Sequence, residues 1–248
     1  MENHSQKVVA FSTLVALPFA LGAFLLAWAP AAQYNLTDPR GDGYVQPRSI
    51  EKLVLGVQDS TVTIFCKHAD PKKDTMGSAW AIDLDNDQGD KYPTTLITNH
   101  HVIDDCLDGK GTLTIAALYG KEYPAIIDNY DEESDLASVA TSLELKPLKL
   151  SDYEPWPGYW VAAIGSADGY EGSVAFGNVL NGSKYEVLIT VPLSHGNSGG
   201  PLVDNEGNVV GTNSFGQIDE QYNGAMSLNA LCVKIMKCEN DLFWKVEN

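Results

Sequence analysis

The chain has 248 residues, enough for one large domain or two small ones with a substantial buried core. Its 44% apolar and 20% charged residues are those of a globular protein rather than a disordered one. With 33 acidic against 16 basic side chains the net charge is -17. That balance excludes a general nucleic-acid surface and basic-patch attachment to an anionic membrane, both of which need clustered Lys and Arg.

The N-terminus is the one segment without a globular pattern. After Lys7 comes an uncharged, mostly apolar run from Val8 to Ala29, then Pro30, Ala31 and Ala32. A basic start, an apolar run and small residues at 29 and 31 describe a secretory signal covering residues 1–31, cleaved after Ala31. The run is also long enough to span a bilayer, so residues 8–29 would be an anchor if left uncleaved. Either way Lys7 keeps the N-terminus inside and sends the rest across. The expected location is secreted or periplasmic, or membrane-anchored with the globular part outside the cytoplasm. There the four cysteines can keep disulfides.

Residues 32–48 are rich in Pro, Gly and polar residues and form a linker. Ser49 is placed to cap a short amphipathic helix. Short β-type runs follow: TVTIF at 61–65, GSAWAIDL at 77–84, TTLITNHHV at 94–102 and GTLTIAALY at 111–119. A second series comprises YWVAAIGS at 159–166, YEVLITVPL at 185–193, GPLVDNEGNVVG at 200–211 and GAMSLNAL at 224–231. Within it, DNEGN at 204–208 is a hairpin turn. No helix-length pattern alternates with these strands, which excludes a doubly wound α/β sheet. The sparse stretch at 145–157 divides them into two groups. The expected fold is all-β, two adjacent antiparallel barrels within one domain at 49–248. They would occupy about 50–145 and 146–231, followed by a C-terminal helix at 232–248.

The strongest motif is SHGNSGGPLV at 194–203. A serine hydroxyl is a poor nucleophile and needs a base to take its proton and donors to hold the oxyanion that follows. Glycines around Ser198 let the backbone turn sharply, so that the amides of Gly196 and Ser198 can point at one oxygen. A G-x-S-x-G string also occurs at the nucleophile elbow of α/β-hydrolases, whose catalytic His follows the Ser. Here every histidine, at 4, 68, 100, 101 and 195, precedes Ser198. The base must come from upstream. His4 lies in the export signal and His68 in a charged loop, while His195 is too near Ser198 in sequence and is assigned to the substrate cleft. The pair His100–His101 ends an apolar strand, as a residue at a barrel rim should. The orienting carboxylate is taken from DNYDEESDLASVA at 128–140, where Asp135 alone stands immediately before an apolar run and can be buried at a strand start. The acids of DLDNDQGD at 83–90 look like a calcium loop. However, Gln88 stands where the sixth-position glycine is needed and Thr94 where the twelfth-position Glu is needed. No metal or cofactor is expected.

The blocks TNHHVI (98–103), SDLASV (134–139) and GNSGGPLV (196–203) resemble the active-site blocks of trypsin-like, chymotrypsin-fold serine peptidases, in that family's order. The likeness is greatest to the branch holding the high-temperature-requirement proteases and the glutamyl endopeptidases, and it covers about residues 50–235. A TNxHV block in the former puts the base at His101 rather than His100. The resemblance implies a triad of His101, Asp135 and Ser198 acting on a polypeptide substrate through an acyl-enzyme, with no cofactor. NSFG at 213–216 falls on the substrate-binding strand, adding Asn213, Ser214, Phe215 and Gly216 to the cleft. No PDZ module is expected, since the chain ends at Asn248.

Pro192 stands where trypsin carries its specificity acid, and Asn213 where glutamyl endopeptidases carry a His. The resemblance therefore implies cleavage after a small or medium apolar residue. Related proteases brace the histidine loop with a disulfide, which implies Cys66–Cys106. Cys232 and Cys238 cannot pair along one continuous helix, where six residues rise ~9 Å. Asn197 replaces the Asp that pairs with a freshly cut N-terminus in digestive trypsin-like enzymes, so no zymogen activation is expected.

Overall fold

The computed structural model describes residues 43–86, 88–216, 222–238 and 243–244. The expected signal or anchor at 1–31 and most of the linker lie outside the described residues. Among the described residues no helix is long and apolar enough to cross a membrane.

Helix α1, Ile50–Gln58, opens the domain. Leu53 and Val57, four residues apart on one helix face, pack into the core. Ser49 does not cap it as expected. With a ψ of 85° its hydroxyl makes no capping bond, and its carbonyl accepts the Leu53 amide at 3.1 Å.

Six strands follow: β1 Thr61–His68, β2 Thr75–Ile82, β3 Thr94–Thr98, β4 Gly111–Ala116, β5 Tyr123–Asp131 and β6 Leu136–Thr141. They close into an antiparallel barrel in the order β1-β2-β3-β6-β5-β4. A second barrel consists of β7 Trp160–Gly165, β8 Ser173–Gly182, β9 Glu186–Ile189, β10 Pro201–Val203, β11 Val209–Gly216 and β12 Asn223–Ser227. Its order is β10-β11-β12-β9-β8-β7. Closure leaves no barrel with an unpaired edge.

Three expected runs break differently. TTLITNHHV ends as a strand at Thr98 and becomes helix α2, His100–Ile103. GAMSLNAL ends as a strand at Ser227 and becomes helix α3, Leu228–Leu231. The Ser227 hydroxyl caps α3 by accepting the Ala230 amide at 3.2 Å. The helix expected at 232–248 starts earlier and is cut short. It widens over Cys232–Met236 and stops at Lys237, whose φ of 52° is left-handed. That stop brings Cys238 back to Cys232, and the two form a disulfide with Cα atoms 5.3 Å apart.

Strands β3, β6 and β7 are buried along their whole length. Side chains alternate between faces, and here both faces are covered. Ala79, Ala81, Leu96, Ala137 and Val139 fill the first barrel, with Val62 and Ile64. Val161, Ala163, Ile189 and Leu202 fill the second. The intervening residues Trp80, Ile82, Ile97, Leu136, Trp160 and Ile164 form a third cluster between the barrels, joined by Leu228, Leu231 and Trp244. Each large side chain so buried contributes about 1.5–3 kcal/mol. Trp80 also donates its indole N–H to the Thr212 hydroxyl at 3.2 Å, tying one barrel to the other.

Candidate active site

β3 and β6 are hydrogen-bonded neighbours, with Thr98 opposite Ala137. The residues just past the end of one and just before the start of the other are therefore brought together. His101 lies in the first turn of α2, and Asp135 immediately precedes β6. The Asn99 carboxamide donates to the Asp135 carbonyl at 2.7 Å, fixing the join. Asp135 has a φ of 50°, a left-handed conformation that Asp tolerates better than most residues.

The Asp135 carboxylate accepts the His101 ring Nδ1 at 2.8 and 2.9 Å and the His101 amide at 3.0 Å. It also accepts the Ser214 hydroxyl at 2.6 Å. Burial pushes this carboxyl up, but the three donors together outweigh burial and hold it below the usual carboxylate range. An ionised Asp135 fixes the proton on Nδ1 and leaves the Nε2 lone pair free to accept another.

Ser198 stands on the tight 194–200 loop of the second barrel. Gly196 and Gly199 have φ of 91° and 85°, and a Cβ on either would lie 2.2 Å from a backbone oxygen, of Ser166 and Ser78 respectively. Only glycine fits at both. The Asn197 amide bonds the Ser194 carbonyl at 3.1 Å and the Gly199 amide the Asn213 carbonyl at 2.8 Å. The Ser198 hydroxyl donates to the Ser214 carbonyl at 3.2 Å. Ser214 thus touches Ser198 with its carbonyl and Asp135 with its hydroxyl. Ser214 was expected in the cleft from the sequence; here it is buried, and its link between Ser198 and Asp135 was not legible.

The loop is held from below by the first barrel. Ser78 of β2 donates its hydroxyl to the Gly196 carbonyl at 2.7 Å, accepts the Ser166 amide at 2.9 Å, and sends its own amide to the Ser198 carbonyl at 2.8 Å. The His195 carbonyl accepts the Asp168 amide at 2.6 Å. Because a trans peptide points its N–H opposite its carbonyl, this bond turns the Gly196 amide away from the 166–169 loop. Nothing in the sequence marks Ser78 or Asp168, whose roles rest on contacts with residues far away in the chain.

Of the expected cleft residues, Pro192, His195 and Gly216 are exposed. Phe215 pairs with Gly224 through the strand register; its side chain lies outside the described ones. Asn213 corrects the expectation. It is wholly enclosed, its carboxamide donating to the Pro201 carbonyl at 3.1 Å, so it supports the cleft from behind rather than lining it. Asn223 was not anticipated. It donates to the Val191 carbonyl at 2.7 Å, and its Oδ1 would lie 2.9 Å from a Cβ on Gly216. His100 is buried, its ring 5.3 Å from that of Tyr130. Cys66 of β1 is joined to Cys106, just beyond α2, with Cα atoms 5.7 Å apart.

This geometry, an acid-oriented imidazole on one barrel and a serine on a glycine-rich loop of the other, defines a serine-peptidase-type site. The family model for the trypsin-like peptidase domain matches residues 77–211, more than half of the chain, and the chain belongs to that family. Among its relatives, a probable periplasmic serine endoprotease, DegP-like, of Marinomonas sp. is 32% identical over 178 residues, covering 66% of this chain and 35% of the relative. Mitochondrial serine protease HTRA2 of Drosophila yakuba is 29% identical over 247 residues, covering 86% of this chain and 55% of that protein. The chain therefore spans about a third to about half of the length of these two relatives. Two crystal structures share the fold. A serine endoprotease from Yersinia pestis aligns with a TM-score of 0.65 at 24% identity, over 78% of this chain and 67% of its own. A protease from M. tuberculosis in its active form gives 0.65 at 20% identity, over 79% and 88%.

Proposed function

We propose that the chain is an exported serine endopeptidase in which His101, Asp135 and Ser198 form the catalytic triad. Ser198 attacks the scissile carbonyl as His101 Nε2 takes its proton, and the amides of Gly196 and Ser198 receive the oxyanion. His101 returns the proton to the leaving amine, leaving an acyl-enzyme. It then activates the water that releases the acid. Asp135 holds the imidazole in the required tautomer throughout. The observation that carries this reading is the Asp135 carboxylate, bonded at once to the ring and amide of His101 and to the hydroxyl of Ser214. Export is supported by the apolar run at 8–29 and by relatives named as periplasmic.

The residue before the scissile bond is small or medium and apolar. Pro192 supplies no charge at the cleft, and the Asn223 carboxamide, spanning from Val191 towards Gly216, narrows the space beside that strand. A fluorophosphonate probe that labels the wild type and not Ser198→Ala separates an active hydrolase from a silent binding module. Digestion of casein and of a peptide library then separates a protease from an esterase. Dominant cleavage after Lys, Arg or Glu would sink the specificity.

A further inference from the structure

Asp135 is the last residue of the turn between β5 and β6. From the last residue of β5 through that turn, Asp131-Glu132-Glu133-Ser134-Asp135, four carboxylates fall in five residues. Its shape depends on the Asp131 carboxylate, which accepts the Ser134 amide at 2.8 Å, and on the Glu132 carbonyl, which accepts the Asp135 amide at 3.2 Å. Asp135 must itself stay ionised to orient His101. The turn therefore crowds like charge around the one carboxylate whose placement the chemistry needs, and like charges so close push the turn apart.

Lys234 meets this turn from the far end of the chain. Its ammonium donates to Glu133 Oε2 at 3.1 Å and lies 3.5 Å from Asp131 Oδ1. Lys234 sits in the widened turn Cys232–Met236, which packs on β5 and β6 and is seated by the buried Cys232 and Ile235. The Cys232–Cys238 disulfide closes that turn into a ring and fixes the backbone from which Lys234 reaches out. The side chains of Lys234 and Asp131 are 25% and 27% exposed, whereas that of Glu133 is 87% exposed, so the Asp131 contact is the more enclosed arm and the Glu133 contact is a surface pair.

We propose that Lys234 is a positioning residue for the triad: it neutralises and holds the acidic turn that presents Asp135 to His101. The proposal rests on the serine-protease reading above. Lys234 touches the turn and not the cleft, so its effect falls on turnover and not on substrate binding.

The test uses the full chain and four variants: Lys234→Met, Lys234→Arg, Lys234→Glu, and Lys234→Glu combined with Glu133→Lys. For each, kcat and KM on a peptide amide, the rate of fluorophosphonate labelling and the melting temperature are measured, with kinetics taken well below melting. Lys234→Met is expected to lower kcat and the labelling rate about two- to fivefold with KM unchanged. Lys234→Arg should restore both rates. Lys234→Glu should fall further, and the added Glu133→Lys should recover part of that loss. An unchanged kcat in Lys234→Met, a fall that Arg does not restore, or a change confined to KM overturns the positioning role. A wild type that takes up no probe overturns the protease reading, and this proposal with it.

Discussion

Ser78→Ala is the most informative single change, because it removes support from the nucleophile loop without touching a triad residue. The substitution leaves the Gly196 carbonyl and the Ser166 amide without the hydroxyl that satisfies both at 2.7 and 2.9 Å. Ser78 has no exposed surface, so water does not simply replace the hydroxyl. Each of the two orphaned groups costs about 1–3 kcal/mol, for a total of about 2–6 kcal/mol. For a domain of this size that lowers the melting temperature by about 4–24 °C. The catalytic loss has a different origin. With its carbonyl unmoored, the Gly196–Asn197 peptide no longer fixes the loop that aims the oxyanion donors. Complete removal of such a donor costs about 10²–10³ in kcat, so loosening it should cost about 10–100-fold. The assay is steady-state hydrolysis of a peptide amide at a temperature where both proteins are folded, alongside calorimetry. A Ser78→Ala enzyme with wild-type kcat would refute the argument, whatever its melting temperature.

His101→Ala should lower turnover by ~10⁴–10⁶ while His100→Ala, which loses a buried ring tilted against Tyr130, keeps substantial activity; probe labelling of the two reverses the assignment if His100→Ala is the dead one. Asp135 has a folded-state pKa below its unfolded value, so its contribution to stability is complete above the unfolded value and is lost as pH falls through the folded one. Melting curves of wild type and Asp135→Asn should therefore converge on acidification below about pH 4, and a gap that stays constant would contradict the ionised Asp135. Breaking Cys66–Cys106, which closes a separation of 40 residues, should cost about 4 kcal/mol in the chain-entropy account, against about 2 kcal/mol for Cys232–Cys238 with its separation of 6; paired Cys→Ser variants in denaturant melts test the order. Enzymes starting at Gln33, Arg40 and Arg48, tagged and untagged, should share one kcat/KM, since neutral Asn197 offers a new N-terminus no counter-charge; activity confined to a single untagged start would mark a zymogen.

The strands that read clearly from sequence were those with apolar residues on both faces, such as TTLIT and WVAAIG. β8 was missed because most of its side chains face solvent or are half-buried, which leaves a polar string, SVAFGNVLNG, with no alternation to read. The boundaries at Asn99 and Ser227 were missed for another reason. The residues after them are as apolar as the strands before, and a cap or a change of direction decides where the strand stops. At the site, the residues proposed to perform the chemistry sit in short distinctive strings, while those that hold them do not. Ser78 and Gly196 are 118 residues apart, and an ordinary serine inside a strand carries no mark of its partner.

The third hydrophobic cluster has a further consequence. His101 and Asp135 belong to one closed barrel and Ser198 to the other, and what joins the shells is a layer of apolar side chains such as Ile97, Leu136 and Ile164 with a few hydrogen bonds across it. Loss of activity and loss of structure are then separable events. A slide of one shell over the other would part Ser198 from His101 while every strand ladder stayed intact. Cold and mild denaturant weaken such a layer, as does a smaller side chain within it, and each is expected to lower activity at doses that leave the strand ladders in place.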